Sequence, residues 1–306
     1  MTFISWAGNK PELVLEGLFG GPSGAERLHY FTGLPAASAV VGFALECLFG
    51  PEVIPDGDKN DKQASLLCEA LAGSSPKRVA DVGAGAGRVL SSLVAAMGAT
   101  WVRDNVDYYA CDSSTEHRAT CIDAIAQVWE SADERYLGAP NQAKMPEKAH
   151  VVLLCNVLHE IHPRDWIEYF GPGGVIDRLL DPSGFVLIAE DYGLPTGERA
   201  HDHLFFLLHG EALQLLFAAD GDTIKTASNG ERIQVHRVPA SALANITAET
   251  RRAAITAVHE YALEKVADVR KREPSYQNGL RHALFSQLFA NAALWLAEKD
   301  GHADGQ

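Results

Sequence analysis

Residues 78–90 read RVADVGAGAGRVL. Apolar residues ending at Asp81 lead into three glycines at alternate positions, Gly83, Gly85 and Gly87, after which apolar residues resume. This pattern predicts a strand, a tight glycine loop and a helix. Glycine lets the backbone approach a ligand closely, and the start of the following helix presents free N–H groups. We therefore expect a ligand-binding loop at the end of this strand.

The spacing of the glycines separates the classes of nucleotide-binding loop. A dinucleotide fingerprint, G-x-G-x-x-G, beginning at Gly83 would need a glycine at position 88, where the chain has Arg88. A phosphate-binding P-loop would need a G-K-[ST] ending, and none follows. A tight turn without a ligand is the remaining alternative, but three glycines cost backbone entropy that such a turn does not require.

Strands alternate with helices on both sides of this loop. The strand-like segments are KRVADVG, DYYACD, a weak one within RYLGAP, AHVVLLCNVL and GFVLIAED. Such alternation indicates an α/β fold with a mostly parallel sheet. Asn229-Gly230, between two short strand-like segments, predicts an antiparallel hairpin at the end of the sheet.

Helical segments flank the alternating region. We expect a helical N-terminal segment over 1–75, a core over 76–240 and a C-terminal helical pair over 241–306. The pair is predicted over 248–272 and 276–298, on the following apolar positions: Ile255, Val258, Leu263, Val266, Leu284, Leu288 and Leu294. These extensions are candidate surfaces for a substrate chamber or a homodimer, and Tyr30 and Phe31 are candidates to close over the site.

Composition narrows the class of partner. The chain has 306 residues, is 47% hydrophobic and carries a formal net charge of −14, which disfavours nucleic acid. Its five cysteines form no CxxC pair, so neither a disulfide framework nor a zinc site is predicted. The N-terminal residues lack a signal-peptide pattern and no apolar run is long enough to span a bilayer, so we expect a soluble cytoplasmic protein without a membrane partner.

The motif D-x-G-x-G-x-G after a first strand resembles the first motif of class I S-adenosylmethionine-dependent methyltransferases. Cys111-Asp112 closes the second predicted strand, and CNVLHEI at 155–161 resembles the family's fourth-strand motif. The predicted terminal hairpin resembles the antiparallel pair of strands that ends the family's sheet. The resemblance covers about residues 76–240. It implies a Rossmann-like, seven-stranded, mostly parallel sheet that ends in an antiparallel hairpin.

The resemblance also implies a set of cofactor contacts. It assigns the methionine end of S-adenosyl-L-methionine to Asp81, Gly83, Gly85 and Gly87. Asp112 would bond the ribose, and Asn156 would border the methionine moiety. Acids around the pocket would compensate the ammonium and sulfonium charges of this cofactor. The segment YLGAPNQAKMPEK lacks the acid that the family often uses near adenine, so the adenine contact stays unassigned.

A candidate general base follows the fourth predicted strand. In LLCNVLHEIHPRDW, His159 resembles the base of plant phenolic O-methyltransferases by position, although Glu160 replaces the expected Asp and Trp166 lies further on. An acid at the end of the next strand orients that histidine in the family, and Glu190 stands there, beside Asp191. The alternative is a histidine that only packs or caps the loop. His201 and His203 face different ways on a helix, so no metal site is predicted.

These expectations favour a methyltransferase acting on a small molecule, at oxygen, with His159 as base. An Asn/Asp-Pro-Pro-aromatic motif, typical of enzymes that methylate amides and nucleobase amines, is absent at 156–159. Two alternatives stay open: a protein or RNA N-methyltransferase, and a non-catalytic interaction module with this fold. The sequence does not identify the acceptor.

Overall fold

The computed structural model describes residues 62–72, 77–192, 206–230, 232–273 and 276–300. Predictions about Tyr30, Phe31, His201 and His203 lie outside these residues. The described residues fall into two compact units. The sheet unit contains those within 62–192 and 209–251, and the helical unit contains 206–208 and those within 252–300.

A mixed, mostly parallel sheet forms the sheet unit. Its strands are β1 (Lys77–Val82), β2 (Val106–Cys111), β3 (Ala149–Cys155), β4 (Leu180–Asp191), β5 (Lys225–Asn229) and β6 (Ile233–Pro239). They lie in the order β2-β1-β3-β4-β6-β5. The first four strands are parallel, and β6 runs antiparallel to both β4 and β5. The α/β, Rossmann-like prediction agrees with this arrangement.

The described residues give six strands, whereas the resemblance implies seven. The predicted third segment, RYLGAP, forms one isolated parallel bridge, between Tyr136 and Ala110 beside β2. Gly138, at a φ of 73°, turns the chain two residues later, and Pro140 has no N–H to donate to a ladder. The pairing therefore ends after a single bridge.

Helices connect the strands and extend the chain. They are α1 (Lys62–Leu71), α2 (Arg88–Met97), α3 (Ala99–Asn105), α4 (Arg118–Ala126), α5 (Ala132–Arg135), α6 (Trp166–Phe170), α7 (Val175–Leu179), α8 (Gly210–Leu216), α9 (Ala240–Leu243), α10 (Ala248–Val269) and α11 (Tyr276–Asp300). Gly171–Gly174 separates α6 from α7, because glycines and a proline interrupt the helix there. None of the helices in the described part of the chain is long and apolar enough to cross a membrane.

Apolar side chains from several helices cover one face of the sheet. Leu67 of α1, Leu93 of α2 and Ile125 of α4 are buried against Tyr108 and Val151 of the strands. The continuous apolar run of β3 is buried at nearly every position, as expected for a central strand. At the other extreme, every residue of β5 is exposed, which suits a polar edge strand.

The helical unit is built on α10 and α11. Ile255, Val258, Val266 and Leu288 are buried, as their spacing predicts. Leu263 is 52% exposed, contrary to the prediction. The buried stripe of α10 passes through Ala262 instead, and the next residue is rotated by about 100° to the outer side of the helix. Within this unit the ring of His259 stacks on Phe289, with centroids 4.5 Å apart.

The strand order places a crevice at the centre of the sheet. β2 lies on one side of β1 and β3 on the other, so the chain reverses direction across the sheet after β2. In open α/β sheets such a point opens a crevice at the carboxyl ends of the strands, where ligands bind. The glycine loop begins there, directly after Val82.

Candidate active site

Loops that follow four parallel strands meet at the carboxyl edge of the sheet. The glycine loop follows β1, Asp112 follows β2, Asn156 and His159 follow β3, and Glu190 lies at the end of β4. Parallel pairing brings these strand ends to one edge. All the residues singled out from the sequence for cofactor binding and catalysis therefore lie along the same edge.

The three glycines of the loop have different reasons to be glycine. Each has a positive φ, 76° at Gly83, 53° at Gly85 and 81° at Gly87. A Cβ at Gly83 would lie 2.5 Å from Cγ2 of Val157, so the loop after β3 packs directly on the glycine loop. A Cβ at Gly85 would meet no atom of the described residues within 4 Å. Gly85 is therefore the point at which the loop borders open space.

Asp112 connects the end of β2 to the glycine loop. The backbone N–H of Gly85 donates to its Oδ2 and the N–H of Ser114 donates to its Oδ1, both at 2.7 Å. The carboxylate is thereby held beside the open part of the loop, at Gly85. A fixed acceptor at this place can take hydrogen bonds from ligand hydroxyls with the lone pairs that remain.

Asp81 is a buried carboxyl beneath the loop. It is 1% exposed, and the hydroxyl of Tyr108 donates to its Oδ2 at 2.6 Å. Burial raises the pKa of Asp81 to about 6, against the lowering effects of the Tyr108 hydrogen bond and the Arg88 charge. A cation bound nearby would favour the ionised carboxylate, so the group is suited to compensate positive charge.

Two buried thiols adjoin these acids. Burial, with the charges of Asp81 and Asp112, raises the pKa of both Cys111 and Cys121 to about 12. A thiol with so high a pKa is not a nucleophile at neutral pH. The cysteines beside the loop are therefore packing residues.

Asn156 has an unusual backbone conformation, and its side chain pairs with another polar side chain. Its φ is 57°, in the left-handed region. Gln63 of α1 donates from Nε2 to the Asn156 Oδ1 at 2.8 Å, and Arg88 donates to the Gln63 Oε1 at 2.9 Å. Arg88 also approaches Cys155 Sγ at 3.2 Å. One guanidinium thus links the start of α2, the end of β3 and α1.

His159 and Glu190 form a buried pair. Nδ1 of His159 lies 2.7 Å from Oε2 of Glu190, and their side chains are 0% and 1% exposed. The short helix Leu158–Glu160 carries the histidine, and Trp166 donates its indole N–H to Ile161 O at 2.9 Å, which anchors the following loop. Oε1 of Glu190 is buried with no hydrogen-bond partner among the described residues.

The neighbouring acid, Asp191, is engaged elsewhere. Arg232 binds it in a bidentate pair, with Nε to Oδ1 at 2.7 Å and Nη2 to Oδ2 at 2.8 Å. Successive residues of a strand point to opposite faces of the sheet. Glu190 and Asp191 therefore take different partners, and only Glu190 meets the histidine.

Sequence reasoning missed four residues that shape this edge, namely Gln63, Arg88, Tyr108 and Val157. Arg88 was visible only as the residue that breaks the dinucleotide spacing. Tyr108 lies four residues before Asp112, the acid at the predicted strand end, but nothing in its own pattern marks it as a partner of Asp81. Gln63 lies 93 residues from Asn156, so no local signal could pair them.

Among the described residues, no group of His, Cys, Asp and Glu is arranged to hold a metal ion.

No protein-family model matches the chain, and no curated protein matches its sequence. Solved structures with a similar fold do exist. A SAM-dependent methyltransferase from Geobacter sulfurreducens, in complex with S-adenosylhomocysteine, is 17% identical over 79% of this chain and 88% of its own, with a TM-score of 0.36.

Two other solved structures are similar to the same extent. The glycopeptide N-methyltransferase MtfA, complexed with S-adenosyl-L-methionine, is 11% identical over 60% of this chain and 95% of its own. A SAM-dependent methyltransferase from Aquifex aeolicus is 15% identical over 64% of this chain and 96% of its own. Both TM-scores are 0.36, and similarity at this level leaves the function to be decided by the site itself.

Proposed function

We propose that the protein is an S-adenosyl-L-methionine-dependent methyltransferase that acts on an oxygen of a small molecule. The observation that carries this proposal is a buried His159–Glu190 pair on the same sheet edge as a glycine loop with an open position. The first feature suits proton removal from an acceptor, and the second suits a bound methyl donor. Neither feature alone would define the reaction.

The residues at the loop fit the donor in charge and shape. The space beside Gly85 admits a ligand against bare backbone, and Asp112 is fixed next to it to accept hydroxyl hydrogen bonds. Asp81, beneath the loop, offers a carboxylate whose ionisation a cation favours. We assign the donor to Asp81, Gly83, Gly85, Gly87, Asp112 and Asn156. Bound there, it would supply an electrophilic methyl group.

The histidine pair would remove the acceptor proton. With Glu190 ionised, the Nδ1–H of His159 donates to Oε2, and the Nε2 lone pair then accepts a proton. Glu190 fixes the tautomer and stabilises the imidazolium that forms. The Nε2 atom of His159 would take the hydroxyl proton of the acceptor as its oxygen becomes methylated. Burial of both side chains excludes water that would compete for the proton.

Calorimetry tests the donor assignment. The full-length protein should bind both S-adenosyl-L-methionine and S-adenosylhomocysteine, and Asp112→Ala should weaken binding by about tenfold or more, because charged hydrogen bonds are lost. Asp123→Ala is the matched control, since it removes an exposed carboxylate from α4. Absence of binding by the wild type would end the methyltransferase proposal.

A screen with isotopically labelled methyl donor tests the acceptor class. Phenols, alcohols, carboxylic acids and amines are offered separately, together with RNA and unfolded protein as macromolecular acceptors. Transfer to hydroxyl compounds is expected. Transfer only to amines, RNA or protein would overturn the oxygen assignment while leaving the donor assignment intact. Donor binding without transfer to any class would favour a non-catalytic module.

A further inference from the structure

A second pocket lies at the opposite edge of the same sheet. A cavity of about 440 Å³ opens at the amino ends of β1, β2 and β3. Three arginines, Arg78, Arg103 and Arg135, line it together with Asp107 and His150. Its volume lies within the range of small-molecule sites. No residue of the proposed active site contributes to it.

Cations outnumber anions in this amino-edge pocket. Arg78 pairs with Asp107 at 3.0 Å and with Glu147 at 2.7 Å, and Arg135 pairs with the second oxygen of Asp107 at 2.8 Å. Among the described residues, Arg103 has no acidic partner, and it donates to the carbonyl of Val128. The three guanidinium groups therefore exceed the two carboxylates by one charge. This local excess is notable in a chain whose net charge is −14.

The arginines retain unused donors. Within the described residues, Arg135 uses only Nη1, which donates to Asp107 and to Tyr108 O, while its buried Nε has no partner. Arg103 uses Nε and Nη2, and Arg78 uses Nε and Nη1. A guanidinium group carries five donors in a planar fork that matches oxyanions. Each arginine can therefore add contacts to a bound anion.

Two neighbours adapt the pocket to an anion. The Nδ1 of His150 accepts from the backbone N–H of Arg78 at 2.9 Å, so a neutral ring carries its proton on Nε2 as a further donor. Glu147 is 74% exposed, so its bond to Arg78 is screened by water and easily replaced. Replacement of Glu147 by a ligand leaves three guanidinium groups against Asp107 alone, an excess of two charges.

The excess of two positive charges favours a ligand that carries about two negative charges. A phosphate monoester carries about −1.5 to −2 charges at pH 7 and has three acceptor oxygens. Trp129 offers little stacking surface, because Arg135 lies 4.6 Å over its ring and Tyr108 stacks at 6.4 Å. We propose that the amino-edge pocket is a second ligand site, which binds the phosphate group of a small, non-aromatic phosphate monoester. This site is independent of the proposed methyl transfer.

Titration of the full-length protein with sn-glycerol 3-phosphate tests this proposal. Saturable binding is expected by calorimetry, with broadening of the ³¹P resonance, and glycerol should give neither signal. Arg103→Gln should weaken binding roughly tenfold, the effect of losing one charged contact. Arg103 is exposed and its side chain bonds a backbone carbonyl, so this variant should fold, which circular dichroism would check.

Three controls separate this site from other causes. Lys271→Gln removes one positive charge from a side chain that is 75% exposed and does not line the pocket, and should leave binding unchanged. Gly85→Val should also leave it unchanged, because the glycine loop lies at the opposite edge. Arg103→Lys keeps the charge but loses the fork, so an intermediate affinity is expected.

Other outcomes would overturn the proposal. These are no saturable binding at millimolar ligand, equal affinity in wild type and Arg103→Gln, and loss of binding in Gly85→Val. Sulfate that binds as tightly as the ester would indicate an adventitious ion only. Adenosine monophosphate that binds more tightly than glycerol 3-phosphate would contradict the non-aromatic assignment.

Discussion

The two edges of one sheet carry opposite chemistry. At the carboxyl edge, the carboxyl groups of Asp81, Asp112 and Glu190 lie around a glycine loop. At the amino edge, Arg78, Arg103 and Arg135 surround a cavity. The same strand, β1, begins with Lys77-Arg78 and ends at Val82, so Arg78 and Asp81 are three residues, or about 10 Å, apart at about 3.3 Å per residue. A short strand therefore separates a site suited to cationic ligands from a site suited to anions.

The two edges also differ in how their charges are held. Asp81 and the His159–Glu190 pair are buried, so their interactions act in a low-dielectric environment. The Arg78–Glu147 pair at the amino edge is largely solvated on one side. Substitutions should therefore have large, specific effects at the carboxyl edge and small, graded effects at the amino edge.

The largest effect is expected from His159→Gln. Loss of a general base should lower turnover on a hydroxyl acceptor by about 10²- to 10⁴-fold, with donor affinity unchanged. Labelled methyl transfer and calorimetry measure the two quantities. His162→Asn is the matched control, because His162 caps the helix Pro163–Asp165 by accepting from Arg164 N–H, a role that Asn retains. Full turnover in His159→Gln would show that the buried pair has a structural role and does not remove the proton.

The second-largest effect is a difference in stability between alanine substitutions at two glycines of one loop. Gly83→Ala should lower the free energy of unfolding by about 2–4 kcal/mol, because the new Cβ meets Val157 and the φ is positive. The new Cβ in Gly85→Ala meets no neighbour in the described part of the chain, so a loss from backbone strain alone, about 1–2 kcal/mol, is expected. Urea denaturation measures both.

Val157→Ala offers a further check on this steric explanation. Combined with Gly83→Ala, it should recover part of the lost stability, because it removes the Cγ atoms that the new Cβ would meet. Equal losses of stability in Gly83→Ala and Gly85→Ala would show that contact with Val157 does not explain the Gly83→Ala loss. The same conclusion would follow if the effects of Gly83→Ala and Val157→Ala on the free energy of unfolding simply added in the double variant.

The pH dependence of donor affinity tests the electrostatic role of Asp81 at the carboxyl edge. The pKa of Asp81 is about 6, so the carboxylate that attracts a cationic donor is lost as the pH falls through that value. Donor affinity should then decline by up to roughly tenfold per pH unit below the pKa. Tyr108→Phe removes the hydrogen bond that lowers this pKa, so the decline should begin at higher pH. Calorimetry from pH 5 to pH 8 in both proteins measures the donor affinity. An affinity that does not change with pH would show that the Asp81 carboxylate does not attract the donor.

The smallest effect is expected from Glu147→Gln at the amino edge. A pair with one partner so exposed should contribute less than about 1 kcal/mol to stability. The same substitution removes the carboxylate that competes for Arg78, so sn-glycerol 3-phosphate should bind a few-fold more tightly. Thermal unfolding and calorimetry measure the two quantities. Weaker binding would mean that Glu147 helps to form the pocket rather than competing with its ligand.

Local patterns were sufficient for most of the fold. Periodicity located the strands and the principal described helices, because the apolar run of β3 and the glycine pattern after β1 reflect contacts within a few residues. Two predictions failed, one where helix packing decides which residue faces inward and one where a glycine and a proline within the segment end a strand. Leu263 fits a helical apolar spacing, yet the helix turns Ala262 inward instead. The predicted third strand is a single bridge, because Gly138 and Pro140 end its pairing.

The sequence by itself determined the order of strands and helices, the glycine loop and the identity of the acids and histidine that follow the strands. These depend on residue type and spacing, which are local. Only the tertiary structure decided which of these side chains meet. It pairs His159 with Glu190 rather than Asp191, joins Gln63 to Asn156, and gathers three arginines at the opposite edge. The physical reason is that such contacts depend on sheet order and side-chain direction, which packing of the whole unit establishes.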